Sequence, residues 1–155
     1  MKALIVYDSV HGNTEKIARA VAGALAPAGN VTLLRAGDAD ADPSELPSVD
    51  LLIVGSPTHG GRPTPAIQEL LGKIPANALT NVRVAAFDTR VKQFIATLFG
   101  YAAGRIADSL KDKGGRLAAA PEGFIVKGRE GPLDPGEAER AAGWARGMID
   151  STDSH

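Results

Sequence analysis

Short runs of consecutive apolar residues alternate along the chain with longer stretches in which apolar positions recur every third or fourth residue. Ala3 to Tyr7 and Leu51 to Gly55 are apolar throughout and do not alternate, the pattern of strands covered on both faces. Val31 to Arg35 and Val82 to Phe87 read as two further strands. Leu117 to Ala120 and Phe124 to Lys127 read as two pieces of a fifth, interrupted at Pro121-Glu122-Gly123.

The intervening stretches carry helical periods. From Glu15 to Ala26, Ile17, Val21, Ala24 and Leu25 fall at i, i+4, i+7 and i+8, and Pro27 and Gly29 end the run. Thr64-Pro65 is a helix start, with an N-cap hydroxyl followed by proline at the first helical position. Ile67, Leu70, Leu71 and Ile74 supply that helix's apolar face. Ala103, Ile106, Ala107 and Leu110 mark another, closed by Gly114-Gly115. A last helix runs from about Glu137 to Ile149, where the spacing of Trp144 from Ala141 and Met148 makes that ring a packing residue. Ala36 to Ser48, with its Asp, Gly and Pro, is a polar loop and not a linker, because both its flanks are needed for one sheet.

Strands separated by helices predict an α/β fold, a mostly or wholly parallel sheet with helices on both faces. At 155 residues the chain suits one domain spanning 1–155, able to bury roughly 70% of its unfolded surface. The absence of cysteine removes disulfides, thiolate metal sites and thiol catalysis. A formal net charge of −1 argues against a nucleic-acid partner, which needs a basic excess on one face. No stretch reaches the ~20 apolar residues of a membrane span, and the N-terminal apolar run is too short for a signal peptide. The expectation is a cytoplasmic protein without a membrane partner.

In such sheets ligands bind beyond the carboxyl ends of the strands, where strand order reverses. Three segments are therefore of interest. Ser9-Val10-His11-Gly12-Asn13-Thr14 links the first strand to a helix, so its backbone N–H groups and the helix dipole converge on one spot, which suits a phosphate. Ser9, Asn13 and Thr14 add neutral donors and Gly12 allows close approach. The competing reading is an ordinary turn with Asn13 or Thr14 as N-cap. Neither the Gly-Lys-Ser/Thr of a P-loop nor a Gly-x-Gly-x-x-Gly turn is present. Ser56-Pro57-Thr58-His59-Gly60-Gly61 follows the third strand, and Asp88-Thr89-Arg90 follows the fourth.

Tyr7 to Thr14 resembles the flavodoxin phosphate loop, with His11 where a hydroxyl residue is usual. Val54 to Gly61 is similar to the Gly-Ser/Thr-Pro-Thr-aromatic-Gly loop of the same family, with His59 at the aromatic position. The resemblance extends over essentially the whole chain. It implies a five-stranded parallel sheet of order 2-1-3-4-5 and an FMN cofactor, its phosphate on the first loop and its ring system beside the second and third. It also implies Gly60 or Gly61 as the place where a peptide flips toward the reduced flavin. Imidazole is a smaller stacking partner than the usual ring, and it titrates near neutral pH. Asp88 matches the start of the family's third loop, but the stacking Tyr is replaced by Val91, Lys92 and Gln93. Either Phe94, Phe99 or Tyr101 curls back over the flavin, or one ring face stays open. Arg90 either steadies negative charge on the flavin or lies solvated, and Arg129 in the charged loop Gly128 to Pro132 is read as solvated.

The implied function is FMN-binding electron transfer, with redox partner proteins or a small-molecule electron acceptor. The alternatives are an FMN-dependent NAD(P)H:quinone reductase and a cofactor-free interaction module. A receiver domain of two-component signalling needs an Asp where Gly55-Ser56 stands, which removes that reading. Flavodoxin carriers are typically strongly acidic. At −1 this chain has little global field to steer a partner, leaving Asp38, Asp40, Asp42 and Glu45 as a local acidic patch.

Overall fold

The computed structural model describes residues 1–37, 48–92, 101–128 and 130–152. The acidic patch at 38–45, Phe94, Phe99 and Arg129 lie outside them. In chain order the elements are β1 (Lys2–Tyr7), α1 (Asn13–Leu25), a 3-10 turn (Ala26–Ala28), β2 (Asn30–Arg35) and β3 (Leu51–Pro57). They continue with α2 (Pro65–Lys73), β4 (Arg83–Val91), α3 (Ala102–Asp112), β5 (Arg116–Leu117), β6 (Glu122–Val126) and α4 (Glu137–Thr152).

All pairings between these strands are parallel, in the order β2-β1-β3-β4, and the fifth position is shared by two segments. Arg83 and Val84 pair with β5, while Phe87 to Val91 pair with β6. The sheet order and the divided fifth strand are as the sequence implies, but the break lies at 118–121, not at 121–123. Gly123 belongs to the strand, paired with Asp88, and the Arg90 guanidinium lies across it, so that a Cβ there would come within 2.1 Å of Arg90 Cζ. Strands β3 and β4 also run further than their apolar cores, to Pro57 and Val91. Ser56, Pro57, Asp88, Thr89 and Arg90 are thus strand residues paired in register, not loop residues.

Strand residues send alternate side chains to the two faces. Leu4, Val6, Leu52, Val54, Val84 and Ala86 meet Ile67 and Leu71 of α2 and Ile106 and Leu110 of α3. Ile5, Leu51, Ile53, Ala85 and Phe87 meet Ile17, Val21 and Leu25 of α1 and Ala141, Ala145 and Met148 of α4. Each fully buried aliphatic side chain is worth about 1.5–3 kcal/mol relative to exposure. Trp144 packs edge-on against Phe87 and Phe124, both at 6.1 Å between centroids, and its indole N–H donates to the Ala120 carbonyl. Glycine is required at Gly55, where a Cβ would lie 2.1 Å from the Phe87 ring. This packing holds the carboxyl ends of β1, β3 and β4 side by side.

Candidate functional site

Beyond Tyr7 the chain turns through Asp8 to Thr14 into α1. Burial and then the Glu15 carboxylate push the Tyr7 phenol above its ordinary pKa, so it adds no charge beside the loop. The Ser9 hydroxyl accepts from the N–H groups of Gly12 (3.0 Å) and Glu15 (3.4 Å). The N-cap is Gly12, at φ 88°, with no side-chain capping bond. The reading of Asn13 or Thr14 as N-cap is therefore incorrect, because both already have helical backbones. Open space surrounds Gly12 where a Cβ would stand, so glycine serves here for its left-handed backbone.

The side chains of this loop are partly engaged by the protein itself. Thr14 and Thr89 share a buried hydroxyl–hydroxyl bond of 2.7 Å, and the Asn13 amide donates to the Glu130 carbonyl at 3.1 Å. Among the described residues no group accepts from the backbone N–H of Val10, His11, Asn13 or Thr14. The unspent donors are therefore backbone amides at a helix N-terminus, where a negative charge is favoured.

In the second segment Ser56 is fully buried; its hydroxyl donates to the Pro57 carbonyl and accepts from the Thr64 N–H. This leaves the Thr64 hydroxyl, expected to cap α2, buried with no partner among the described residues. Thr58 N–H donates to the Thr89 carbonyl, and the Thr58 hydroxyl accepts from Ala102 N–H at the start of α3. His59 and Arg62 exchange both backbone bonds across a tight turn in which Gly60 and Gly61 have φ 58° and 81°. Arg105 Nε donates to the Gly61 carbonyl at 2.8 Å. Of the peptides within the turn, Gly60–Gly61 alone has no partner among the described residues, so it is the one free to rotate.

In the third segment Asp88 is fully buried. Arg90 grips it through Nε (2.7 Å) and Nη2 (2.8 Å), and Ala103 N–H in the first turn of α3 adds a third bond (2.9 Å). The Arg90 guanidinium carbon stands 3.3 Å from the Tyr101 ring centroid. The reading of Arg90 as a solvated cation is therefore incorrect, and Tyr101 is engaged by an arginine.

The three segments meet in one cleft. Val10, His11, Asn13 and Thr14 line one side, Pro57, Thr58 and His59 a second, and Thr89 and Arg90 a third. Ser9, Gly12, Ser56, Gly60, Gly61 and Asp88 are not part of this lining; Ser9, Ser56 and Asp88 are buried and bond to Gly12, Thr64 and Arg90. Val91 and Val126 also line it, beyond what the sequence pattern indicates; Val91 extends β4 and Val126 arrives through the β6 pairing. The cleft measures about 70 Å³, and His11 and His59 in its lining are exposed. A groove of about 530 Å³ between α2 and α3 is larger; it borders the far side of the β3 loop through Arg62 and Pro63 but shares none of the cleft's lining residues.

A doubly wound parallel sheet of order β2-β1-β3-β4, with the fifth position shared by β5 and β6 and helices on both faces, defines a flavodoxin-like fold. The chain belongs to the flavodoxin family, whose profile matches residues 5–144. Oxidised flavodoxin 1 from Bacillus cereus superposes with a TM-score of 0.81 at 17% identity, covering 97% of this chain and 98% of that one. Rubredoxin oxygen:oxidoreductase from Desulfovibrio gigas gives 0.79 at 23% identity, covering 99% of this chain and 36% of that one. A curated relative, the S-adenosyl-L-methionine-dependent tRNA 4-demethylwyosine synthase of Oryza sativa subsp. japonica, is 33% identical over 145 residues. That match covers 87% of this chain, which spans about a fifth (21%) of the relative's length.

Proposed function

We propose that the chain binds FMN in this cleft and passes electrons to a redox partner. The observation that carries the reading is the set of unspent amides at Val10, His11, Asn13 and Thr14, grouped at the start of α1. They suit a phosphate, which accepts several bonds at once and gains from the helix dipole. Bound FMN would supply the electron chemistry. The protein's part is to hold the phosphate through these amides and the remaining hydrogens of Ser9 and Asn13. The rings would rest along the rim formed by Pro57 to Gly61 and Thr89 to Val91.

A reductase reading draws on one feature: Tyr101, the described ring among the aromatic residues that follow the third segment, is taken up by Arg90. Against it, the D. gigas and O. sativa matches both place the equivalent of this chain in a longer protein. That arrangement favours electron delivery to another site.

Titration of the FMN-free protein with FMN and with riboflavin tests the proposal. FMN should bind with a visible spectral shift and riboflavin far more weakly. Failure to bind either would leave the cofactor-free module as the function.

A further inference from the structure

We infer that Arg35, the last residue of β2, is a positioning residue of the anion cradle, an inference that rests on the phosphate reading above. The Arg35 Nη2 donates to the Ser9 carbonyl, and its Nε stands 3.8 Å from Asp8 Oδ1. The same Asp8 oxygen accepts from Ser9 N–H at 2.9 Å. Two consequences follow from elementary chemistry.

A trans peptide points its N–H opposite to its C=O. Holding the Ser9 carbonyl on the Arg35 side therefore turns the Val10 N–H away from Arg35. That N–H has no partner among the described residues, and Val10 lines the cleft. Arg35 thus fixes the direction of one of the unspent donors.

Asp8, one residue before Ser9, also places a carboxylate beside a site meant for an anion. Like charges repel, and Arg35 is the cation that offsets it. Arg90, the arginine lining the cleft, is already committed to Asp88. Arg35 lies far from the loop in sequence and reaches it only because β2 pairs alongside β1, with Arg35 opposite Tyr7.

The test is the FMN-to-riboflavin affinity ratio, measured by titrating the FMN-free forms of the wild type, Arg35→Met, Arg35→Lys, Asp8→Asn and the Arg35→Met/Asp8→Asn pair. Arg35→Met should lower FMN affinity between about tenfold and a hundredfold, the worth of one hydrogen bond to a charged group, and leave riboflavin unchanged. Arg35→Lys should recover part of the loss, since it restores charge without the planar fork. Asp8→Asn should recover the part due to repulsion when added to Arg35→Met, while keeping an acceptor for Ser9 N–H. Equal losses for both ligands, or an unchanged ratio in Arg35→Met, would overturn the inference and leave the phosphate reading standing. A wild type with no preference for FMN would overturn the phosphate reading and this inference with it. Asp8→Asn alone retains Arg35 and should raise the ratio, so an unstable Arg35→Met would not end the test.

Discussion

The loop after β1 and the end of β4 face the same cleft and are held in opposite ways. In the loop the backbone amides of Val10, His11, Asn13 and Thr14 are left without partners among the described residues, while Ser9, a few residues away, closes the turn. At the end of β4 every strong group is satisfied: Asp88 accepts three bonds, and Arg90 grips Asp88 with its plane against Tyr101. The first region leaves donors unspent, as the proposed phosphate site requires, and the second closes on itself as a wall. An arginine in a cleft is not by itself a ligand-binding charge, because a buried carboxylate two residues away can consume it.

Breaking the wall should give the largest effect. Arg90→Met leaves Asp88 fully buried without its cation, and removing one partner of such a pair costs about 3–5 kcal/mol. Urea denaturation should show that loss, and Asp88→Asn added to Arg90→Met should return part of it. If Arg90→Met costs under about 1 kcal/mol, the wall is no more than a surface ion pair.

Breaking the loop after β1 should act on ligand affinity and stability together. Asn13→Ala with Thr14→Ala should lower FMN affinity by about a decade, near 1.4 kcal/mol, because most of the donation falls to the backbone. It should also cost stability, about 1 kcal/mol per lost bond, since Glu130 and Thr89 lose their partners. Parallel FMN titrations and denaturation curves separate the two. A loss of stability with FMN affinity intact would reduce both residues to fold supports.

The contrast also marks what was legible in the sequence. The receiving loop could be found because its residues are contiguous, and a strand–loop–helix turn presents its amides wherever it occurs. The parallel sheet with helices on both faces followed from patterns of the same local kind, while the strand order came from the family resemblance of the loops. The wall was hidden because its parts are brought together by pairing and packing: Asp88 and Arg90 read as the start of a polar loop, Tyr101 as a candidate flavin ring, and Gly123 as a strand breaker. Arg35 was hidden for the same reason, since only the β1–β2 register sets it beside Ser9. Polar strand ends such as Asp88-Thr89-Arg90 lack the apolar signal by which strands are recognised, so β3 and β4 read shorter in the sequence than they are.

Gly12 sharpens the comparison on a smaller scale. Nothing lies within 4 Å of where an alanine methyl would stand, so Gly12→Ala meets only the backbone penalty of φ 88°, about 1–2 kcal/mol. Its effect should appear in both stability and FMN affinity, since the same residue caps α1 and shapes the loop. An equivalent change at Gly72, an exposed helical site with equally open space, should instead be neutral or stabilising. Equal outcomes at the two glycines would mean that the loop does not need its left-handed residue.

The smallest expected effect concerns the strand behind the wall. Glu137 accepts from Ile125 N–H of β6 (2.7 Å) and from Arg140, tying the start of α4 to the strand that brings Val126 to the cleft. The Arg140 guanidinium first, and then the Ile125 N–H, hold the Glu137 carboxyl below the usual carboxylate range, against burial, which pushes it up. A carboxyl with a depressed folded pKa contributes stability that is present above its unfolded pKa and lost as pH falls through the folded one. Glu137→Gln keeps the shape and an acceptor but removes the charge. It should therefore lower stability at neutral pH by up to about 1 kcal/mol, since Arg140 is partly exposed and solvent screens the pair. That gap should hold down to about pH 5 and close below it, as the wild-type carboxyl takes up its proton. Denaturation of both proteins across this range checks the sign. A gap that widens toward low pH would mean that the charge on Glu137 opposes the fold, and that the hydrogen bond to Ile125 alone carries the link between α4 and the cleft wall.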